Sequence, residues 1–263
     1  MPEGDTVWLA ARRMHEALAG SVLTQTDFRV PQLATVDLSG RVVSEVVSRG
    51  KHLLTRIDAD LTLHTHFRMD GSWHLYRTGD RWRGGPAYEV RVVLATATWN
   101  AVGYRLPVIE LLSRAEEDRA VGHLGPDLLA TGFDAKEAIR RLVARPDREL
   151  GQALLDQRNL AGIGNLYKAE VCFLEGISPW SQVGAVEHRV AAVAERARLL
   201  LDLNRNRPEQ VTTGDPRRNR THWVFERAGR PCRRCGTTIR SAEQGDAPYQ
   251  RLTYWCPRCQ PGR

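Results

Sequence analysis

The chain has 263 residues, of which 42% are hydrophobic and 26% are charged, and its formal net charge is +7. Seven Trp, six Tyr and five Phe supply enough apolar surface for a folded core, which excludes a disordered chain. No apolar run is long enough to cross a bilayer, and the opening Met-Pro-Glu-Gly-Asp is unlike a signal peptide. We therefore expect neither a membrane protein nor a secreted one.

The positive charge is concentrated at the end of the chain. Residues 204–263 contain thirteen Arg, no Lys and five acidic residues, which is a local net charge of +8. Such an asymmetry favours a polyanionic partner, and nucleic acid is the first candidate. A solvated surface without a partner is the alternative.

The first half of the chain is predicted to contain one helix and then a series of strands. Residues 6–19 carry apolar side chains at helical spacing and are followed by Gly20. Short alternating or β-branched segments, separated by Gly-containing turns, follow at 41–47, 52–57, 61–67, 72–76, 88–97 and 104–111. This pattern predicts an antiparallel β-sandwich or barrel.

The second half is predicted to be helical. Residues 135–203 are rich in Ala, Leu, Arg and Glu at helical spacing, with a break at 158–164. We predict that Asn165 is the N-cap of the helix after the break, where glycines and free N–H groups favour a phosphate; simple packing is the alternative. The predicted boundaries are a β-rich domain at 1–115, a linker at 116–133, a helical domain at 134–225 and a cysteine-containing module at 226–263.

Two Cys-x-x-Cys pairs occur near the C-terminus, formed by Cys232, Cys235, Cys256 and Cys259. Four thiolates satisfy tetrahedral Zn²⁺ and leave no position for a water molecule, so we predict one structural zinc ion. Residues 249–255 alternate like a hairpin strand, which places Arg251 near the tip. The fifth cysteine, Cys172, is expected to pack in a helical core.

Four segments of the chain resemble, in order, the Fpg/Nei family of DNA glycosylases with abasic-site lyase activity. They are Met-Pro-Glu-Gly-Asp-Thr at 1–6, Arg-Gly-Lys-His-Leu at 49–53, the helix pair at 155–170 and the zinc hairpin at 251–260. The first of them looks more like the endonuclease VIII (Nei) branch than the Fpg branch. The resemblance implies an α+β multidomain fold with an N-terminal antiparallel β-sandwich and flanking helices. A helical helix-two-turn-helix domain with a zinc-finger hairpin would follow.

The resemblance also implies a bifunctional enzyme of base excision repair, which removes oxidised bases, pyrimidines in preference to purines, and nicks DNA by β,δ-elimination. Once Met1 is removed, the secondary amine of Pro2 would attack the deoxyribose C1′ and form an iminium, which is an electron sink. Glu3 would be the general acid and base. Lys51 would contact the phosphate and sugar of the lesion and donate a proton during elimination.

Further positions are assigned by the same resemblance. Asn165 would hold a phosphate, and Arg251 would grip the phosphates that flank the lesion and support δ-elimination. The damaged nucleotide must leave the duplex, and we nominate Arg68 and Met69 as the wedge that fills its place. Residues 210–219 are either a lesion-recognition loop or a basic linker.

The expected partner is damaged DNA, and the protein is expected to bind it as a monomer. No organic cofactor is expected, because the chain has neither a Gly-x-Gly-x-x-Gly motif nor a P-loop. The expected location is the bacterial cytoplasm, at the nucleoid. Three alternatives remain open at this point. They are an Fpg-type glycosylase for oxidised purines such as 8-oxoguanine, a non-catalytic zinc-ribbon protein that binds damaged DNA, and a metallo-nuclease.

Overall fold

The computed structural model describes residues 2–262. They form two compact units, one with Pro2 and Thr6–His123 and the other with Glu3–Asp5 and 124–262. The second unit therefore includes a tripeptide from the N-terminal end of the chain. Among the described residues, no helix combines the length and the apolar character that a membrane crossing requires.

The first unit contains most of helix α1 (Gly4–Leu18) and eight strands. The strands are β1 (Gln25–Phe28), β2 (Val43–Arg49), β3 (His52–Ile57), β4 (Leu61–His66), β5 (Ser72–Arg77), β6 (Val90–Ala95), β7 (Trp99–Tyr104) and β8 (Val108–Ser113). One sheet has the order β1-β6-β7-β5 and the other β2-β3-β4-β8, and all their pairings are antiparallel.

Both sheets and α1 share one hydrophobic core. Val7 and Leu18 of α1 pack with Leu53 and Leu63 of one sheet and with Leu94 of the other, and all five are fully buried. Burying each such side chain stabilises the fold by about 1.5–3 kcal/mol. The predicted antiparallel β-sandwich with a flanking helix is confirmed.

The sequence does not predict two of the eight strands. β1 is four residues long and three of them are polar, whereas β7 contains Asn100 and Gly103, residue types that are depleted from strands. β7 pairs with both β5 and β6, so its neighbours keep it extended. The predicted strand at 104–111 is also interrupted, because Arg105 has a φ of +48° and β8 begins only at Val108.

The second unit contains four helices and a hairpin. They are α3 (Ala135–Val143), α4 (Leu150–Leu155), α5 (Asn165–Leu174) and α6 (Glu187–Asn204), followed by β9 (Arg240–Gln244) and β10 (Arg251–Trp255). A short helix, α2 (Glu117–Val121), lies within the segment predicted as a linker. The helical region with a C-terminal zinc hairpin is confirmed as predicted.

One hydrophobic core joins the helices to the cysteine module. Fully buried residues of α5 and α6, such as Phe173 and Leu201, belong to the same cluster as Cys232, Ile239 and Cys256. The cysteine module therefore packs on the helices and is not a separate body. Cys172 is fully buried in α5, as expected.

The turn between α4 and α5 holds the N-terminal tripeptide. Gly162 has a φ of +107°, a conformation that favours glycine, and its carbonyl accepts a hydrogen bond of 2.8 Å from the Gly4 N–H. A Cβ atom on Gly4 would lie 2.8 Å from the Cα atom of Gly162. Glycine at position 4 thus permits a close backbone approach.

Candidate active site

Glu3 is completely buried and binds the first turn of α5. Its Oε2 accepts a hydrogen bond from the Gly164 N–H at 2.5 Å, and its Oε1 accepts one from the Leu166 N–H at 2.8 Å. Helix N-termini leave such N–H groups unsatisfied and favour negative charge. The expectation that these groups are free for a phosphate is therefore wrong, because the protein's own carboxylate occupies them.

Asp5 forms a second anchor of the N-terminal tripeptide. Its carboxylate accepts hydrogen bonds from the Tyr167 hydroxyl at 2.6 Å and from the Gln210 amide at 3.0 Å. Burial, together with the charge of Asp5, raises the pKa of Tyr167 far above its usual range, so this hydroxyl remains a donor. Sequence reasoning missed both residues, because a single acid and a single tyrosine carry no recognisable spacing. Pro2, which is partly exposed, is bonded directly to this anchored segment.

Lys51 lies in the two-residue turn between β2 and β3. Arg49 pairs with His52 across this turn, and Gly50 has a φ of +57°. A primed hairpin turn requires a positive φ at its first central residue, which explains the glycine before Lys51. The Lys51 side chain is partly exposed at this end of its sheet.

A chain of histidines that the sequence analysis missed lies beside the Lys51 turn. His52 Nδ1 is 2.8 Å from His64 Nε2, and His64 Nδ1 is 2.9 Å from Glu110 Oε2. Burial, followed by the neighbouring imidazoles and Arg68, lowers the pKa of His52 to about 3. Burial and the charges of Arg68 and Lys51 lower the pKa of His66 to about 4. Both imidazoles are therefore uncharged at neutral pH. The sequence contains one signal for this cluster, which is the His-Thr-His segment at the end of β4, the strand that pairs with His52.

Arg68 and Met69 project from the turn between β4 and β5. Arg68 has a φ of +51°, and the Met69 side chain is 59% exposed. Both line a groove of about 440 Å³ together with Arg91, Arg105 and Leu106. The turn therefore presents an apolar side chain beside three arginines, and the wedge role of Arg68 and Met69 stays a prediction.

Asn165 is the first residue of α5, and its N-cap is Gly164, so the predicted N-cap position is wrong by one residue. Glycine has no side chain for capping, and Glu3 satisfies the helix N–H groups instead. The Asn165 Nδ2 donates to the Leu252 carbonyl at 2.9 Å, while its buried Oδ1 has no hydrogen-bond partner. Arg251, the exposed residue before Leu252, begins β10 at the end of the hairpin where the loop lies. The fold thus brings Asn165 and the Arg251 backbone together.

Lys168 lies one helical turn after Asn165 and is fully buried. Its Nζ donates to Thr253 Oγ1 of β10 and to Gln244 Oε1 of β9. Burial lowers the pKa of this amine to about 8. A buried lysine thereby ties α5 to both strands of the hairpin.

The four paired cysteines meet at one point. Their sulfur atoms all lie within 4.8 Å of one another, with 3.9 Å between those of Cys232 and Cys259 and 3.5 Å between those of Cys235 and Cys256. Zn–S bonds of about 2.3 Å in a tetrahedron require sulfur separations of about 3.8 Å. The residues fit the metal, and the protein holds one structural Zn²⁺ at this site.

Comparison with known proteins agrees with this architecture. Residues 1–105 match the formamidopyrimidine-DNA glycosylase N-terminal domain, 124–202 its H2TH domain, and 229–262 the zinc finger found in FPG and IleRS. A crystal structure of Lactococcus lactis Fpg with DNA containing an abasic site has the same fold, with a TM-score of 0.82 over 99% of this chain and 100% of that one at 21% identity.

The curated relatives are named as enzymes of one kind. The chain is 59% identical to the probable endonuclease 8 2 of Streptomyces coelicolor, covering 100% of this chain and 95% of that protein. It is 48% identical to the DNA-(apurinic or apyrimidinic site) lyase Nei2 of Mycolicibacterium smegmatis, covering 99% of each. It is 33% identical to endonuclease 8 of Escherichia coli, covering 99% of this chain and 100% of that protein. The chain therefore belongs to the Fpg/Nei family of DNA glycosylases.

Proposed function

We propose that this chain is a bifunctional DNA glycosylase and abasic-site lyase of base excision repair, with Pro2 as its nucleophile. The observation that carries this proposal is the anchoring of Glu3, Gly4 and Asp5 on the α4–α5 turn and α5. An N-terminal amine is an effective nucleophile only if its segment is held still. Met1, whose removal the mechanism needs, lies outside the described residues.

The chemistry begins with the secondary amine of Pro2. Its lone pair attacks C1′ of the damaged nucleotide, and the C1′–N bond to the base breaks as the sugar ring opens and an iminium forms. The iminium makes the C2′ proton acidic, so proton removal expels the 3′-phosphate. A second elimination then expels the 5′-phosphate.

Glu3 is the proton carrier of the first step. It is bonded directly to Pro2, and its carboxylate is held by two backbone N–H groups. In this role it accepts a proton from the amine and delivers one to the sugar ring oxygen as the base departs. General acid–base catalysis of this kind contributes about 10²–10⁴-fold.

Damaged DNA is the partner, and the basic second unit supplies phosphate contacts. An amide nitrogen has two hydrogens, so Asn165 Nδ2 can keep its bond to Leu252 and donate the second hydrogen to a phosphate. Arg251 is exposed and available to a neighbouring phosphate. Lys51, in the turn between β2 and β3, contacts the sugar and phosphate of the lesion and donates a proton during elimination.

The turn with Arg68 and Met69 fills the space of the extruded nucleotide. The exposed Met69 side chain replaces the lost stacking, and extrusion itself costs a few kcal/mol. Oxidised pyrimidines are proposed as the preferred substrates because residues 1–6 resemble the Nei branch of the family. The enzyme acts as a monomer, without an organic cofactor. Its bacterial relatives support a place in the cytoplasm, and an enzyme that repairs chromosomal DNA would act at the nucleoid.

Borohydride trapping tests the proposal. Reduction in the presence of a duplex with an abasic site should give a covalent protein–DNA adduct, and peptide mapping should place the bond at Pro2. The Pro2→Gly variant should lose the adduct, whereas Lys136→Gln, at an exposed lysine, should retain it. An adduct at Lys51, or none with the wild type, would refute the mechanism, and the latter result would favour a non-catalytic binder.

A panel of duplexes tests the substrate class. Thymine glycol should be excised faster than 8-oxoguanine opposite cytosine, and the reverse order would indicate an Fpg-type preference. A brief EDTA treatment should leave activity intact, because four thiolates enclose the zinc ion. Immediate loss of cleavage would indicate a metallo-nuclease.

A further inference from the structure

A groove in the second unit is lined by nine residues, of which five are arginines. It has a volume of about 380 Å³ and lies between the C-terminal end of α3 and the start of the α4–α5 turn. Its charged residues are Arg140, Arg141, Arg145, Arg148, Arg158 and Asp156. This arginine groove carries a formal net charge of +4, and the proposed chemistry uses none of these residues.

The ion pairs inside the arginine groove leave most of its donors unused. Asp156 binds Arg148 at 2.8 Å and Arg158 at 2.9 Å. Burial opposes this charge, but hydrogen bonds from the two guanidiniums lower the pKa of Asp156 below its usual range, so the carboxylate stays ionised. Beside the groove, Glu137 binds Arg140 and Arg141, each at 2.6 Å. Each guanidinium has five N–H donors, and the two carboxylates use only one or two donors of each arginine that they bind. Arg145 is exposed and has no ion pair within the described part of the chain.

The position of the arginine groove places it within reach of a bound duplex. Arg158 precedes Asn165, the proposed phosphate contact, by seven residues, and seven residues span at most about 25 Å. A duplex rises about 3.4 Å per base pair, so this reach corresponds to about seven base pairs. The groove and Asn165 thus share the α4–α5 turn, and about seven base pairs is the upper limit on the separation of their phosphates along a duplex.

We propose that the arginine groove binds backbone phosphate of the same DNA duplex, outside the lesion, within about seven base pairs of it. This inference rests on the proposed DNA-binding function. Planar guanidiniums suit phosphate oxygens, which they bind through paired N–H groups. An acidic peptide is a poorer fit, because only Leu142 and Ala144 offer apolar surface and peptide docking relies on apolar anchors.

A variant and a matched control test the arginine groove. The variant replaces three exposed residues of the groove by glutamine: Arg140, Arg145 and Arg158. The control removes the same charge from three arginines of the first unit that form local ion pairs and do not line the groove: Arg12, Arg29 and Arg119. The single variant Arg145→Gln, which breaks no ion pair, repeats the test without any effect on folding.

The measurement is the dissociation constant for duplexes that carry an uncleavable abasic-site analogue with short or long flanks. The flanks are lengthened in steps from about two to about twelve base pairs, so that the longest flanks extend past the largest possible separation of about seven base pairs. For each phosphate contact that is lost, the groove variant should bind the long duplex about eightfold more weakly than the wild type does at 0.1 M salt. The slope of log K against log salt should fall by about 0.9 per phosphate, and the short duplex should show no difference.

The binding measurements decide between the proposal and its alternatives. The proposal would be overturned if longer flanks raised the affinity of the wild type and of the groove variant equally. It would also be overturned if the groove variant lost the same affinity on both duplexes, or if the control variant lost as much affinity as the groove variant. If the groove binds only free phosphate, the difference in affinity between the wild type and the groove variant should not depend on flank length, and that result would also overturn the proposal. A wild type that binds neither duplex would instead refute the proposed function.

Discussion

The Glu3→Gln substitution tests the link between the anchoring of the N-terminus and catalysis. Glutamine has the same shape, but only one acceptor oxygen for the two N–H groups of Gly164 and Leu166. One charge-assisted hydrogen bond is lost, and the negative charge at the α5 N-terminus disappears with it. Together these changes should lower the free energy of unfolding by about 2–4 kcal/mol.

This loss leaves a folded protein, since domains are stable by about 5–15 kcal/mol. Excision should suffer more, because a missing general acid costs about 10²–10⁴-fold. Cleavage of a preformed abasic site needs no base departure and should fall by less. The assays are urea denaturation, single-turnover excision of thymine glycol and single-turnover cleavage of an abasic site.

Glu170→Gln is the matched control for this test. Glu170 is equally buried and accepts hydrogen bonds from the N–H groups of Trp223, Val224 and Phe225, all at 2.8 Å, but it has no proposed role in the chemistry. It should lose comparable stability and keep excision. Excision by Glu3→Gln within about threefold of the wild type would refute the assignment of Glu3 as general acid. Equal losses of excision in both variants would show that the effect is structural.

Three further predictions concern the second unit. Between pH 7.5 and 9.5 the Lys168 amine of the folded protein, with a pKa of about 8, loses its proton, whereas that of the unfolded chain stays mostly protonated. The free energy of unfolding should therefore rise by about 2 kcal/mol over this range. Urea denaturation should show no such rise in Lys168→Met, and an equal rise would contradict the burial argument. Gly4→Ala forces a Cβ against Gly162 and should slow excision at least tenfold with DNA affinity unchanged, whereas Gly132→Ala, in open space, should have no effect. Cys256→Ser should lose its zinc ion by mass spectrometry and its DNA affinity, and retained metal would exclude the four-cysteine site.

Local patterns predicted the features that depend on a few neighbouring residues. The Cys-x-x-Cys spacing aims two thiolates at one point, and the short segments at 52–57 and 61–67 predict the strands β3 and β4. The errors occur where partners elsewhere decide the structure. β7 is extended because it has strands on both sides. The helix after the break begins at Asn165 and not after it, because the Glu3 side chain satisfies N–H groups at its start. One of these groups belongs to Leu166, which is 163 residues away from Glu3 along the chain.

From its sequence alone, this chain revealed its family, its zinc ligands and the proline and glutamate at its N-terminus, since residue type and short spacing carry that information. The tertiary structure alone decided which groups those residues meet. It placed the Glu3 carboxylate on α5, Lys168 between the hairpin strands, and His52 in a chain with His64 and Glu110. The physical reason is that these contacts depend on strand register and helix packing, which bring together groups that are far apart along the chain.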